Sequence, residues 1–200
     1  MSKMPELLTS LSGERIDTIQ KWEKFRRREI LNLFQEYVYG VRDIERPANL
    51  QFEQKHEKIV HGMRRRDIRV SFDNFMFSFS LYLPLEQTEA LPAFVLVLHE
   101  NMESHSYFNK EGNLVFEDSL MPIKDITDHG YAIAVMPTRD IYHDWASYED
   151  YKQGVFTAVK TPKGRQRNSW ATISAWAWGT SRVLDYLETD KDVDAENVAV

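Results

Sequence analysis

The 200-residue sequence contains no cysteine, which excludes a disulfide framework and any metal site built on thiolates. It also lacks an apolar run long enough to cross a membrane. Residues 1–6 contain neither a long apolar stretch nor a small-residue cleavage site, so we predict no secretory signal and expect a cytoplasmic protein. No Gly-x-Gly-x-x-Gly follows a predicted strand, which argues against a nucleotide binder. The sequence predicts no cofactor.

Apolar residues make up 42% of the chain, enough for one domain with a sizeable core. The net charge is −6 and the isoelectric point is near 5.6. Two basic runs, 26–28 and 64–66, lie beside acidic residues, so they indicate solvated faces rather than nucleic-acid patches. We therefore expect neither nucleic acid nor a membrane as a partner.

Residues 14–39 have the apolar periodicity of an amphipathic helix, and Gly40 suits its end because glycine can adopt the left-handed cap. Residues 41–66 are polar, and Pro47 prevents a helix there, so we expect an extended connector. We divide the chain into an N-terminal segment, 1–66, and a region at 67–200, within one structural domain overall. The apolar residues on or near one helix face are Ile16, Ile19, Trp22, Ile30, Leu33, Phe34 and Tyr37.

An antiparallel hairpin is predicted between residues 67 and 83. Ile68 and Val70 indicate a short first strand, and Asp73 with Asn74 supplies turn chemistry. The second strand has the period-two alternation of a half-buried strand. Its apolar positions are Phe75, Phe77, Phe79, Leu81 and Leu83.

Two further strands with a helix between them predict a parallel β–α–β unit with a right-handed connection. The apolar run 94–98 has the length and β-branched content of a central strand covered on both faces. Residues 123–129 indicate a short helix, and residues 131–136 indicate the next buried strand. A loop of about thirty residues, 138–167, comes next, and loops of this length are often functional.

The last stretch of the chain predicts a long helix, a polar turn and the start of a buried strand at 198–200. Asn168 or Ser169 can cap the helix, because a short side-chain oxygen accepts from an amide of the first turn. Apolar or small residues recur at helical spacing to form one buried stripe. They are Trp170, Ile173, Ala177, Thr180, Leu184 and Leu187.

Residues 174–200 contain Ala-Trp-Ala-Trp-Gly-Thr-Ser-Arg-Val-Leu-Asp-Tyr-Leu-Glu, an Asp-rich turn and Val-Ala-Val. This stretch resembles the segment that leads into the nucleophile strand of α/β-hydrolases. It is most similar to carbohydrate esterases that include glucuronoyl esterases and acetyl-xylan-esterase-like proteins. A second, weaker match to the same group lies near the other end of the chain, at Trp22, Arg27, Arg28, Ile30, Phe34, Tyr39 and Gly40.

The resemblance implies an α/β fold: a three-layer, α/β-hydrolase-like, mostly parallel sheet with an N-terminal antiparallel hairpin, incomplete at its C-terminal side. It also implies a serine ester hydrolase that acts on a carbohydrate-linked ester through an acyl-enzyme. In that fold the nucleophile elbow comes after the strand that begins at 198, and the acid and histidine come later. By this resemblance the 200 residues hold no triad residue and are inactive alone.

Ligands of open α/β sheets bind outside the carboxyl ends of the strands, where residues 99–105 and 138–167 are predicted to lie. Polar candidates for substrate contacts there are His99, Asp140, His143 and Asp144. Tyr142 and Trp145 either stack against a sugar ring or fold onto the core. By resemblance, Glu100 and Asn101 lie near the oxyanion hole, where backbone amides stabilise the negative oxygen of the tetrahedral intermediate.

Three other motifs fail on spacing. His99 and His105 are six apart after a β-run, whereas H-E-x-x-H needs histidines four apart on a helix. Ser181 lies within a predicted helix and lacks the strained turn of a nucleophile elbow. Asp190, Asp192 and Asp194 resemble the start of an EF-hand loop, but its sixth position is Ala195 instead of glycine.

A non-catalytic domain of the same fold that binds carbohydrate or a protein partner is the alternative function. The incomplete sheet would leave an open edge beside residues 198–200, and such an edge invites self-association.

Overall fold

The computed structural model describes residues 4–42, 44–99, 122–144, 153–159 and 164–200. The chain divides into two units, Met1–Asp43 with Thr161–Ser174, and Ile44–Lys160 with Ala175–Val200. Residues 44–66, which the sequence groups with the N-terminal helix, therefore lie in the unit that contains the sheet. Within the described part of the chain, no helix has the length and apolar character needed to cross a bilayer.

The first unit contains one long helix, α1, which begins at Ile19 rather than at the predicted residue 14. The side-chain oxygen of Thr18 caps it by accepting from the N–H of Lys21 at 3.2 Å. The helix ends before Gly40, as predicted, but the predicted left-handed cap is wrong, because the ψ of Gly40 is 159°. Its φ of 82° combined with this ψ is a conformation that essentially only glycine adopts. Its consecutive stretches are α-helical at Ile19–Lys21 and Arg27–Phe34, and π-helical at Trp22–Arg26 and Gln35–Tyr39.

The basic run 26–28 is not wholly a solvated face, because Arg26 is only 5% exposed. Its Nε donates to the carbonyl oxygen of Leu7 at 2.9 Å, and its Nη2 donates to that of Glu6 at 3.0 Å. Its Nη1 pairs with Glu29 at 3.1 Å. These contacts fasten the segment before the helix to the helix itself and satisfy the buried guanidinium.

The second unit is built on one six-stranded mixed sheet in the order β1-β2-β3-β5-β4-β6. β4 pairs in parallel with β5 and β6, and the other three pairings are antiparallel. The parallel part confirms the predicted β–α–β unit. The strands are β1 Gln51–Val60, β2 Met63–Phe72, β3 Phe75–Pro84, β4 Leu91–Leu98, β5 Ala132–Pro137 and β6 Val193–Ala199.

The predicted hairpin is present as β2 and β3, joined through Asp73 and Asn74, with Phe72 opposite Phe75. The alternation of β3 is also as predicted, since Phe75, Phe77 and Phe79 are buried. The connector expected before the hairpin instead contains β1, an edge strand whose side chains are mostly exposed. Exposure on both faces explains its polar sequence, which hides the strand from a search for apolar alternation.

Helices cover both faces of the sheet, which confirms the three layers. Ile133 and Val135 of β5 share one face with Ile123 of helix α2, Ile123–Asp128. The alternate residue Met136 lies on the other face, against Gly179 of helix α4, Thr172–Leu187. The short helices Thr138–Asp140, a 3₁₀ turn, and Val155–Ala158, α3, come after β5.

The buried stripe of α4 differs from the predicted one, because Ile173 is 56% exposed and Ala177 is also exposed. The helix also begins later than the predicted cap at Asn168 or Ser169. The close approach of Gly179 to Ile141 and Met136 sets which face meets the sheet. The residues of α4 that are buried are Ala175, Trp178, Gly179, Thr180, Arg182, Val183 and Leu187.

The final strand, β6, confirms that Val198 and Ala199 lie in the parallel layer beside β4. The prediction of a buried strand starting there is wrong, because most of β6 is not buried and Val200, 76% exposed, comes after its end. Val198 lies opposite Ala93, and Ala199 lies opposite Phe94. The strand begins earlier than predicted, at Val193. β4 is central as predicted, but Phe94 is 39% exposed, so its two faces are not both fully covered by the described residues.

Candidate functional site

Two segments meet at the carboxyl edge of the parallel strands. His99 comes directly after β4, and the 3₁₀ turn Thr138–Asp140 comes directly after β5. Because β4 and β5 are parallel neighbours, both segments leave the sheet at the same edge. This edge is where the sequence places the candidate site.

His99 is held by two side chains from different parts of the chain. Its Nε2 donates to Oδ2 of Asp144 across 2.9 Å. Its ring lies 5.7 Å from the ring of Trp176 in helix α4, at an interplanar angle of 83°. The side chains of His99 and Asp144 are 33% and 49% exposed, so the pair is accessible from solvent. The structure thus joins two of the predicted polar candidates, His99 and Asp144.

Trp176 is in turn fixed by the segment that carries Asp144. Its Nε1 donates to the backbone oxygen of Tyr142 at 2.9 Å. The Tyr142 side chain is 1% exposed, and its ring meets the ring of Phe156 edge-on at 4.8 Å. Of the two possibilities stated for Tyr142, packing onto the core is therefore correct, and its ring does not present a face to a sugar.

Ile141 and Val155, which both come after β5 in the chain, are joined by a backbone hydrogen bond. The N–H of Val155 donates to the carbonyl oxygen of Ile141 at 3.0 Å. Gly154 has a φ of 56°, and a Cβ there would lie 2.3 Å from the same oxygen, so only glycine fits. Residues 142 and 154 consequently lie close together.

The remaining candidate residues lie in three places: at the carboxyl edge of the parallel strands, in helix α4, and outside the described residues. Asp140 and His143 are exposed at the same edge. Glu100, Asn101 and Trp145 lie outside the described residues. Ser181 is within α4, where its Oγ donates to the carbonyl oxygen of Ala177 at 3.0 Å, as expected for a mid-helix serine.

Trp176 was not predicted from the sequence to be a site residue. Its spacing in the sequence indicates a helix, and nothing in that spacing shows that it meets His99.

A charged cluster at the opposite end of the strands is structural. Arg66 of β2 is 7% exposed. It donates from Nη1 to Asp190 at 3.0 Å and from Nε to Glu57 at 3.3 Å, and it also pairs with Asp192. The run 64–66 is therefore not a solvated face. Arg66 thus pairs with two aspartates of the Asp-rich turn, Asp190 and Asp192.

This cluster shifts the pKa of its members. Burial acts to raise the pKa of Asp192, but the hydrogen bond and charge of Arg66 and the charge of Arg64 outweigh burial, so that the pKa lies below the ordinary aspartate value. Burial, and then the neighbouring Asp190 carboxylate, raise the pKa of Tyr186. The cluster fixes the turn between α4 and β6 and so sets the position of β6.

The described residues contain no candidate metal site. Among the described residues, no three side chains of histidine, aspartate or glutamate are grouped so as to hold a metal ion.

In sequence, this chain is similar to carbohydrate esterase MZ0003, from an unknown prokaryotic organism. The two are 26% identical over 224 residues, which cover 98% of this chain and 52% of that protein. No family model matches the sequence.

Solved structures define the class of fold. A glucuronoyl esterase from Solibacter usitatus superposes with a TM-score of 0.81 at 24% identity, over 99% of this chain and 56% of that one. A putative acetyl xylan esterase from Bacteroides fragilis superposes with a TM-score of 0.59 at 12% identity, over 96% of this chain and 50% of that one.

The fold is therefore the α/β-hydrolase fold in the form found in carbohydrate esterases. Within that class, the chain is similar in sequence to a carbohydrate esterase and in structure to glucuronoyl and acetyl xylan esterases. The chain spans about half the length of these relatives, with 52%, 56% and 50% of them covered.

Proposed function

We propose that this chain is part of a serine hydrolase that cleaves a carbohydrate-linked ester. The observation that carries the proposal is the match of nearly the whole chain, 99%, to a glucuronoyl esterase with a TM-score of 0.81. Fold alone does not define chemistry, so the sequence similarity to a carbohydrate esterase and the partly exposed polar edge at His99 support it as well.

The reaction would proceed through an acyl-enzyme. A serine hydroxyl attacks the ester carbonyl, a histidine takes the serine proton, and the alcohol leaves with that proton. Water then attacks the acyl-enzyme, so that the acid is released and the serine is restored. We assign no triad residue to the 200-residue chain, because Ser181 is committed to a helix and no elbow is formed there. We therefore expect the chain alone to be inactive.

The substrate class is inferred from the names of the structural relatives. A glucuronoyl esterase acts on an ester of glucuronic acid, and an acetyl xylan esterase acts on acetyl groups of xylan. We propose an ester of a uronic acid as the substrate, because the uronate-directed relative matches with the higher TM-score.

The test is hydrolysis of benzyl glucuronate, acetylated xylan and p-nitrophenyl acetate. It compares the 200-residue chain, its Ser181→Ala variant and the product of the complete reading frame that encodes the chain. We expect hydrolysis of the glucuronate by the complete product and none by either form of the 200-residue chain. Turnover by the 200-residue chain would contradict the expectation that it holds no nucleophile, and its loss in Ser181→Ala would identify Ser181 as that nucleophile. A complete product that hydrolyses no ester would refute the proposed function.

A carbohydrate-binding domain without hydrolysis is the second candidate. The exposed carboxylate and imidazole of the His99–Asp144 pair are suited to sugar hydroxyls. Calorimetric titration with methyl glucuronoside separates the two functions, since a non-catalytic domain binds the sugar and leaves the ester substrates intact.

A further inference from the structure

We propose that the C-terminal end of helix α1 is a binding surface for a carbohydrate chain, built on the stacked rings of Phe34 and Tyr39. We call these two residues the aromatic pair. The inference rests on the proposed function for the class of its ligand. It assigns a second sugar contact, made by residues other than those at the carboxyl edge of the parallel strands.

The aromatic pair depends on a π-helical turn. The stretch Gln35–Tyr39 is π-helical, and a π-helix bonds residues that are five apart. In an α-helix, with about 3.6 residues per turn, side chains five apart point in different directions. Here the rings of Phe34 and Tyr39 lie 5.7 Å apart between centroids, at an interplanar angle of 19°. The turn thus brings together two rings that an α-helix would separate, and such turns are rare and frequent at functional sites.

The rings of the aromatic pair are partly open to solvent. Phe34 is 44% exposed and Tyr39 is 41% exposed, and Val38 beside them is 58% exposed. Grouping apolar side chains on a surface is unfavourable in water, so a group of this kind indicates a binding site. Two nearly parallel rings offer the flat apolar surface that the C–H face of a pyranose ring can cover.

The backbone beneath the aromatic pair is held by a second segment of the same unit. The carbonyl oxygen of Tyr39 accepts from Oγ of Ser174 at 2.8 Å. The N–H of Val41 donates to the carbonyl oxygen of Asn168 at 2.7 Å. A Cβ on Gly40 would collide with the backbone at Ser169, so the two segments approach as closely as glycine allows. A surface that is ordered before binding loses less conformational entropy when a ligand arrives.

Polar groups suited to sugar hydroxyls lie beside the same turn. Nδ2 of Asn168 donates to Oε2 of Glu36, which is an exposed residue of the π-helical stretch. A carboxylate accepts several hydrogen bonds, and an amide group both donates and accepts. A wholly apolar partner would leave such groups unpaired, whereas a sugar presents hydroxyls to them and a C–H face to the rings. The combination therefore favours a carbohydrate over an apolar protein surface.

The experiment is a calorimetric titration of the 200-residue chain with xylohexaose. Leucine keeps the apolar character of a ring position but has no flat face. We therefore expect Phe34→Leu and Tyr39→Leu each to weaken the affinity by about tenfold. Phe25→Leu is the matched control, because Phe25 is 51% exposed on the same helix and lies outside the aromatic pair. Its affinity should equal that of the wild type.

A second substitution keeps the test decisive if leucine disturbs the helix. Phe34→Trp retains a flat ring, so it should bind xylohexaose at least as well as the wild type, with an unchanged circular dichroism spectrum. Absence of binding by the wild-type chain refutes the proposal. Equal affinities in the wild type, Phe34→Leu and Tyr39→Leu also refute it, because an apolar contact that needs no flat ring is not a sugar platform.

The product of the complete reading frame separates this proposal from the proposed function. If Phe34→Leu leaves the xylohexaose affinity of that product unchanged, the aromatic pair is not its sugar contact and the proposal is overturned. Hydrolysis of benzyl glucuronate by the same product is measured independently and tests the proposed function. Hydrolysis without a ring-dependent affinity refutes only the binding surface, and a ring-dependent affinity without hydrolysis refutes only the ester chemistry.

Discussion

Replacing Arg66 with methionine should destabilise the sheet unit strongly. Arg66 is 7% exposed, and its guanidinium pairs with Asp190, Asp192 and Glu57. Methionine retains the apolar stem but removes every donor. The side chain of Asp190 is 3% exposed, so the substitution leaves a buried carboxylate without its cation. Removing one partner of a buried pair costs about 3–5 kcal/mol.

A loss of that size is large compared with the whole free energy of unfolding, about 5–15 kcal/mol for a domain. Because the hydroxyl of Tyr186 also interacts with Asp190, we expect the lower end, about 3 kcal/mol. The assay is urea unfolding followed by tryptophan fluorescence and circular dichroism.

Arg65→Met is the matched control. Arg65 is the adjacent residue in β2 and pairs with Asp67 at 2.7 Å, but their side chains are 23% and 22% exposed. Solvent screens this pair, so its loss should cost about 1 kcal/mol or less. The double variant Arg66→Met with Asp190→Asn should recover part of the stability, since it removes the uncompensated charge. Equal losses in Arg65→Met and Arg66→Met, or no recovery in the double variant, would refute this reasoning.

Three further predictions concern pH, a glycine and the sheet edge. The pKa of Asp192 is lowered in the folded state, so the stability that Asp192 contributes is present above about pH 4 and is lost as the pH falls through the folded pKa. In Asp192→Asn, the free energy of unfolding should therefore decrease less steeply as the pH falls through this range, as measured by acid unfolding. Gly154→Ala should lower the free energy of unfolding by at least about 2 kcal/mol, because the φ of Gly154 is 56° and the new Cβ would meet the Ile141 oxygen. Gly130→Ala is the control: its φ is 81° but the space around it is open, so the same thermal melt should show a smaller loss. Light scattering should show that the chain self-associates increasingly with concentration through the exposed edge of β6. Lysines at the exposed positions Ala195 and Ala199 should suppress this association more than serines do. A monomer at every concentration would contradict pairing at the β6 edge.

Elements whose side chains alternate or repeat locally could be predicted from the sequence. β3 is an example, because Phe75, Phe77 and Phe79 all face the core at period two. The polar strand β1 could not be predicted in this way, since it is exposed on both faces and its pairing with β2 depends on the backbone. Helix α4 was predicted as a helix, but its buried stripe was wrong, because the close approach of Gly179 to Met136 selects a different face.

The candidate site was predicted in part. His99 and Asp144 could be placed at the same edge, because they come after parallel strands. Their contact at 2.9 Å and the third member, Trp176, could not be predicted, since these residues are far apart in the chain.

The hairpin, the parallel β–α–β unit and the likeness to carbohydrate esterases are determined by the sequence itself. Each depends on residues close together in the chain, where spacing alone dictates which side chains share a face. Tertiary structure decides which charges are buried and which side chains meet. The sequence run that contains Arg66 has the composition of a solvated face, and Arg66 is buried only because the turn at Asp190 packs against it. The contact between His99 and Asp144 likewise depends on the segment 142–144 lying at the end of β4. Burial and contact depend on which distant segments the sheet brings together, and the local spacing of residues in the sequence does not show which segments these are.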